Sequence, residues 1–227
     1  MLSDENLNKA IIYAGSDVFS VRPLQRLLRL KYKRITVLTS PPKRQGRGMK
    51  RKNNPLSEFA AHKGLEILMP ESPNDKSFIE KLTERNPDAL ISSAYGKRMS
   101  DTFLDCFYLG NINIHPSLLP RWRGPSPIES AILEGDKITG VTLMKMTNEL
   151  DAGPIFKQQS LQLSGENSKV LYEKLSLLAA DMIQDFLPLF FGGVSSAKQQ
   201  NERLITYSKI IKKEHARIDW NETSQVI

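Results

Sequence analysis

Apolar and polar positions fall into short, regularly changing blocks along the 227-residue chain. Lys9 to Tyr13 is an apolar run that closes on Gly15-Ser16, the pattern of a buried strand entering a turn. From Val18 to Leu30 the apolar residues Leu24, Leu27 and Leu28 recur at helical spacing, which predicts an amphipathic helix. Ile35–Leu38 repeats the strand pattern. Helices are then expected over Pro55–Lys63 and Lys76–Arg85, and strands over Leu65–Leu68, Asp88–Ser92 and Gly110–Ile114. Thr139–Met146 and Pro154–Gln158 add later strands. Ser168–Phe191 reads as one long amphipathic helix, ended by Gly192-Gly193.

Strands that alternate with helices argue for an α/β fold, with a mostly parallel sheet flanked by helices. Residues 1–193 form the expected main unit, 194–208 a polar linker, and 209–227 the start of something the chain does not finish. In open sheets of this kind, ligands bind outside the carboxyl ends of the strands. The Gly15 turn therefore lies on the functional edge. It is no dinucleotide fingerprint, because Gly15-Ser16-Asp17-Val18-Phe19-Ser20 lacks the second and third glycines. Nor does the chain carry a Gly-x-x-x-x-Gly-Lys-Ser/Thr loop, so NAD and ATP are disfavoured. A tight strand-to-helix turn accounts for Gly15 equally well.

Composition narrows the class. Hydrophobic residues make up 40% and charged residues 25%, an ordinary globular balance. No apolar run approaches the roughly 20 residues that span a bilayer, so no membrane association is expected. The first eight residues carry Asp4 and Glu5 and lack an apolar signal region. The lone Cys106 lies in an apolar stretch, where a buried structural thiol is expected, and no Cys/His cluster has zinc-ligand spacing. The net charge is +7, and its distribution matters more than its size. Lys43, Arg44, Arg47, Lys50, Arg51 and Lys52 crowd one segment with no acid among them. Such a flexible cationic loop suits phosphate contacts, although charge runs are usually solvated surface.

The chemistry concentrates between Asn111 and Asp151. Asn113 and His115 are two apart, so a strand presents both on one face. Pro116 pushes His115 towards extended backbone, and Pro116 and Pro120 constrain the loop that follows. Attack of an amine on a formyl carbon creates a tetrahedral oxyanion and a proton that must leave. A side-chain amide can donate to the oxyanion, worth roughly 3–4 kcal/mol where such a donor has been removed. Imidazole can move protons near neutrality, typically worth about 10²–10⁴-fold. Asp151, in Leu150-Asp151-Ala152-Gly153-Pro154, is placed to orient it, and Gly153 allows a tight turn. Of the three histidines, His62 falls on an expected exposed helix and His215 in a charged tail, which leaves His115 as the candidate. On its own, an Asn-x-His pair is more often a loop hydrogen-bond network, and a lone Asp a turn former.

Asn113-Ile114-His115-Pro116-Ser117-Leu118-Leu119-Pro120 followed by Leu150-Asp151-Ala152-Gly153-Pro154 resembles the signature of folate-dependent formyltransferases. Three further stretches resemble the methionyl-tRNA branch of that superfamily. Arg121-Trp122-Arg123-Gly124-Pro125-Ser126-Pro127-Ile128 is similar to its extended motif. Gly46-Arg47-Gly48 is similar to its tRNA-contacting insertion. Tyr207-Ser208-Lys209-Ile210 with Lys213 to Trp220 is similar to the boundary into its second domain. The resemblance runs from about residue 10 to residue 220.

The resemblance implies a Rossmann-like formyltransferase catalytic domain over residues 1–193, with 10-formyltetrahydrofolate as co-substrate, no metal, and initiator methionyl-tRNA as acceptor. Asn113, His115 and Asp151 match the catalytic trio. Ser117, Leu118, Leu119 and Pro120 match the folate-binding loop, and Tyr95-Gly96 a pocket wall. Lys43, Arg44, Arg47, Lys50 and Arg51 are the implied tRNA contacts. Members usually continue into a C-terminal β-barrel, which is expected here to be absent or truncated. Ser126 stands where an alanine is usual. The Gly15 turn, and Gly124-Pro125 where bacterial members tend to have Gly-Ala, resemble mitochondrial members. That points to a mitochondrial matrix address in a eukaryote and a cytoplasmic one otherwise. A monomer is expected. Two alternatives stay open: a formyltransferase acting on a small amine such as a nucleotide or sugar nucleotide, and a non-catalytic tRNA-binding relative.

Overall fold

A computed structural model describes residues 4–45 and 49–223. After a four-residue helix α1 (Asp4–Leu7), strand β1 (Ala10–Gly15) enters the core with every residue from Ile11 onwards buried. The predicted helix opens with one 3₁₀ turn, Val18–Ser20, capped by Asp17, whose carboxylate accepts from the Phe19 amide. It continues as α2 (Val21–Arg29). Next come β2 (Arg34–Leu38), β3 (Lys43–Gln45), β4 (Lys50–Lys52), α3 (Pro55–His62), β5 (Glu66–Leu68) and α4 (Lys76–Glu84). Then follow β6 (Ala89–Ser93), α5 (Asp101–Leu104), β7 (Gly110–His115), α6 (Pro127–Leu133), β8 (Ile138–Met144), β9 (Ile155–Gln162) and α7 (Ser168–Phe191).

Seven strands form one sheet in the order β5-β2-β1-β6-β7-β8-β9. The first five are parallel, and β8 and β9 run antiparallel to their neighbours. This is the expected Rossmann-like arrangement of a mostly parallel sheet flanked by helices. Strand alternation divides the core. Ile11, Tyr13, Val37, Ile91, Ile112 and Ile114 face the layer that holds Leu24 and Leu27 of α2 and Leu175, Ile183 and Phe186 of α7. Ile12, Ala14, Leu38 and Leu90 face Leu82 of α4 and Phe103 of α5. The order reverses between β1 and β6, which opens a crevice at their carboxyl ends. Gly15 lies there, and a side chain on it would come within 2.7 Å of the Ser93 carbonyl oxygen and 2.6 Å of Ser20 Oγ. Close approach, rather than a positive φ, is why glycine occupies the turn.

Three expectations change. The basic loop is an antiparallel ribbon, with Lys43 opposite Lys52 and Arg44 opposite Arg51. β9 runs on to Gln162, because pairing with β8 outweighs the polar residues on this exposed edge. Residues 198–208, read as linker, lie along the loop that follows β7: Arg123 NH donates to the Thr206 carbonyl, and Ser208 NH to the Arg123 carbonyl. Cys106 is half-buried, with its Sγ 3.5 Å from both Thr83 Oγ1 and the Thr102 carbonyl. Among the described residues, no helix is long and apolar enough to cross a membrane.

Candidate active site

β7 ends at the crevice. Because Ile112 and Ile114 are buried on the α7 side, Asn113 and His115 present their side chains on the opposite face. Asn111, on that same face, accepts from the Met146 amide at 2.6 Å and so ties the end of β8 to β7. The backbone from Pro116 to Ser126 then folds over the strand end. Thr142 Oγ1 donates to the Ser117 carbonyl (2.6 Å) and accepts from Leu119 NH (3.1 Å). Gln158 Nε2 holds the Leu119 carbonyl (2.8 Å), and the Leu119–Pro120 peptide is cis.

Asn113, His115 and Asp151 come together, although 36 residues of chain separate the histidine from the aspartate in sequence. His115 Nδ1 lies 3.6 Å from Asp151 Oδ2, and Asn113 Nδ2 lies 3.5 Å from Asp151 Oδ1. The Gly124 amide donates to Asp151 Oδ2 at 2.8 Å. His115 is 4% exposed, and its Nε2 lies 2.9 Å from the Trp122 carbonyl. A carbonyl cannot donate, so Nε2 carries a proton, and Nδ1 is the nitrogen that faces Asp151. Trp122 adopts φ +63°, which turns its carbonyl to the imidazole. Its own ring is held by Asp136, which also takes a two-point hydrogen bond from Arg121 at 3.0 and 2.6 Å. The Arg121 guanidinium holds the Asp136 carboxyl below the usual range.

The turn that carries Asp151 corrects one expectation. The left-handed residue is Asp151 itself, at φ +47°. Gly153 is required for packing instead, since a Cβ there would sit 1.8 Å from the Lys145 carbonyl oxygen. Two residues with no sequence signal of their own complete the setting. Gln200, 8% exposed, donates through Nε2 to the carbonyls of Asp151 (2.7 Å) and Gly153 (2.8 Å). Its Oε1 accepts from Arg123 Nε (3.0 Å) and Nη2 (2.9 Å). Arg123 was visible only as part of the extended motif, and Gln200 lay inside the supposed linker. Only the pairing in space identifies them.

The other predicted residues are placed as follows. Ser117 is fully buried and its hydroxyl donates to the Arg121 carbonyl (2.6 Å), so that group is consumed within the loop. Leu119 is buried, and Leu118 and Pro120 are half-buried. Tyr95 is buried, its hydroxyl has no partner among the described residues, and burial pushes its pKa well above the ordinary range. Gly96 follows at φ +75°. Lys43, Arg44, Lys50 and Arg51 are exposed on the ribbon, whereas Arg47 lies outside the described residues. Both stems of the ribbon reach the crevice. Asn54 Nδ2 donates to Thr39 Oγ1 (2.9 Å) and the Ser40 carbonyl (3.1 Å), and Ser16 Oγ lies 3.3 Å from Ser40 Oγ and 3.4 Å from the Tyr95 carbonyl. His62 and His215 are exposed. Among the described residues, no group of three or more His, Cys, Asp or Glu could hold a metal ion.

Residues 10–183 match the profile described as Formyl transferase. The chain belongs to the formyl transferase family. Within it, the chain is 38% identical over 218 residues to a methionyl-tRNA formyltransferase of Ruminiclostridium cellulolyticum, covering 96% of this chain and 70% of the relative. It is 36% identical over 215 residues to one of Coxiella burnetii, covering 94% and 68%. These are formyltransferase enzymes, and the chain is one by this kinship. The fold also resembles the solved N-formyltransferase from Helicobacter canadensis, bound to folinic acid and dTDP-3-aminofucose. There the TM-score is 0.69 and identity 19%, over 95% of this chain and 77% of that one. The relatives are bacterial and lend the mitochondrial address no support.

Proposed function

We propose that this formyltransferase moves the formyl group of 10-formyltetrahydrofolate to the amino group of methionine on initiator methionyl-tRNA. The observation that carries the reading is the convergence of Asn113, His115 and Asp151 at the carboxyl end of β7. Asn113, half-buried at the strand end, offers its amide to the oxygen that gains charge when the amine attacks. His115 takes the departing proton at Nδ1, because Nε2–H is occupied by Trp122. The imidazolium so formed faces Asp151, which the Gly124 amide holds in place, and returns the proton to the folate N10 as the bond between N10 and the formyl carbon breaks and tetrahydrofolate leaves. No covalent intermediate on the protein is needed.

Folate supplies the formyl carbon, and the chain offers it a fit. Tyr95, whose buried hydroxyl has no partner among the described residues, and Gly96 follow the end of β6, beside the reversal of strand order. Leu118, Leu119 and Pro120 supply apolar surface on the neighbouring loop, and the polar groups of Ser117 serve to shape that loop. The ribbon supports tRNA as the acceptor. It sets like charges directly opposite each other, an arrangement that costs stability until a polyanion neutralises it. Burial holds the amine of Lys97, which donates to the carbonyls of Pro70 and Glu71, below its ordinary pKa.

The test is formyl-methionine formation from 10-formyltetrahydrofolate and methionylated initiator tRNA, by the parent chain and by Asn113→Ala and His115→Ala. Turnover by the parent, with a drop of about 10²-fold or more in each variant while tRNA binding survives, is expected. Undiminished turnover by the variants would dismiss the trio. Formylation of a free amino sugar nucleotide but not of tRNA would replace the acceptor.

A further inference from the structure

We infer that Gln200 is a positioning residue for the reaction: it sets the backbone of the Asp151 turn and thereby aims the carboxylate at His115. The inference rests on the proposed role of Asp151. Every hydrogen-bonding position of the Gln200 amide is engaged. Its two N–H groups meet the carbonyls of Asp151 and Gly153 at 2.7 and 2.8 Å, and its oxygen meets two N–H groups of Arg123. A flipped amide would set its NH₂ group against the guanidinium and its oxygen against two carbonyls. Arg123 therefore fixes which way the amide points.

The need for such a grip follows from the Asp151 backbone. A non-glycine residue in the left-handed region is disfavoured, so the conformation of Asp151 persists where its surroundings impose it. Here the turn is held at both ends. Gly124 NH binds the carboxylate, and Gln200 binds the main-chain carbonyl of the same residue. Both grips originate at Arg123. Its backbone pairs with Thr206 and Ser208, which places Gly124, and its buried guanidinium places Gln200. The residues from 198 to 208 thus complete the site without touching the reacting atoms.

The test measures kcat, the KM of each substrate and thermal unfolding for Gln200→Leu, Gln200→Glu, Asp151→Asn and the double variant Gln200→Glu/Asp151→Asn, with 10-formyltetrahydrofolate and methionyl-tRNA. Gln200→Leu removes all four hydrogen bonds at similar volume. Gln200→Glu keeps an acceptor for Arg123 and loses both donors, and thermal unfolding identifies which of the two variants keeps the parent fold. The expected result is a fall in kcat of about 10²-fold for Gln200→Glu, with both KM values near the parent's. Because Gln200 acts through Asp151, the double variant should turn over no more slowly than Asp151→Asn alone. Parent-level kcat in folded Gln200→Glu would overturn the inference, as would an undiminished effect in the Asp151→Asn background. Parent-level kcat in Asp151→Asn would instead overturn the role of Asp151 on which it rests.

Discussion

Replacing Gly153 with alanine tests the claim that the turn holds the Asp151 carboxylate in place against Gly124 and His115. The new Cβ would stand 1.8 Å from the Lys145 carbonyl oxygen and 2.9 Å from its carbon, where ordinary contact begins near 3.4 Å. The partner is backbone, and Lys145 NH is itself bonded to the Pro154 carbonyl at 2.9 Å, so it cannot swing aside as a side chain would. The turn must therefore move by about 1.5 Å or the ladder between residues 145 and 154 must open. A shift of that size carries the carboxylate, two residues away, out of its 2.8 Å bond to Gly124. Misplacement by roughly 1 Å costs on the order of 10² in rate, and the strained backbone costs about 2 kcal/mol of stability. Initial rates at saturating donor and tRNA, with thermal unfolding followed by circular dichroism, read both numbers. Gly135→Ala is the control: unlike Gly153 it has a positive φ, +64°, but nothing lies within 4 Å of its Cβ. It should lose about 1 kcal/mol and no activity. A Gly153→Ala enzyme with the parent's kcat and unfolding temperature would refute the reasoning.

Asp136→Asn should lower the unfolding temperature at neutral pH by removing the carboxylate that holds Arg121 and Trp122. The Asp136 carboxyl has a lowered pKa when folded, so its contribution is fully present above its unfolded pKa of roughly 4 and is lost as pH falls from there through the lower folded pKa. The gap between parent and variant should narrow steadily as pH falls below that point; a gap that does not narrow in acid contradicts the assignment. Arg44→Ala should weaken tRNA binding and reduce the slope of log affinity against log salt by about one, and an unchanged slope would remove Arg44 from the phosphate contacts. Tyr95→Phe deletes a buried hydroxyl that has no partner among the described residues, so the free protein should be as stable as the parent or more so. A loss of stability in thermal unfolding without donor would show that the hydroxyl is satisfied after all.

Hydrophobic periodicity made most of the fold legible. The buried strands β1, β6 and β7 read as apolar runs, and α7 declares its packed face through Leu171, Leu175, Ala179 and Ile183. Elements of little apolar content escaped. Lys43–Gln45 and Lys50–Lys52 have no hydrophobic alternation, so backbone pairing alone makes the ribbon. α5 has four residues and α6 seven, both too short to show a period. The trio could be named because the Asn-x-His spacing is a local signal on one strand face. Gln200 could not. Glutamine in a polar stretch looks like solvent-exposed linker until the fold sets it against Arg123 and two carbonyls.

The placement of residues 198–208 has a consequence for the order in which the protein matures. All seven sheet strands have been synthesised by Gln162, and the helix that covers one face ends at Phe191. Gln200, Thr206 and Ser208 emerge only afterwards, and they join Asp151 and Arg123 across 49 to 85 residues of chain. These contacts wait on the synthesis of residues 200–208, whereas the pairings between the strands need no residue beyond Gln162. A nascent chain that reaches Phe191 can bury its core, yet the Asp151 turn still lacks the amide that holds it. Acquisition of structure and acquisition of activity are thus two separate events in the life of this polypeptide. Amide hydrogen exchange should show them as two tiers of protection, with the sheet as the slower to open and the turn as the faster.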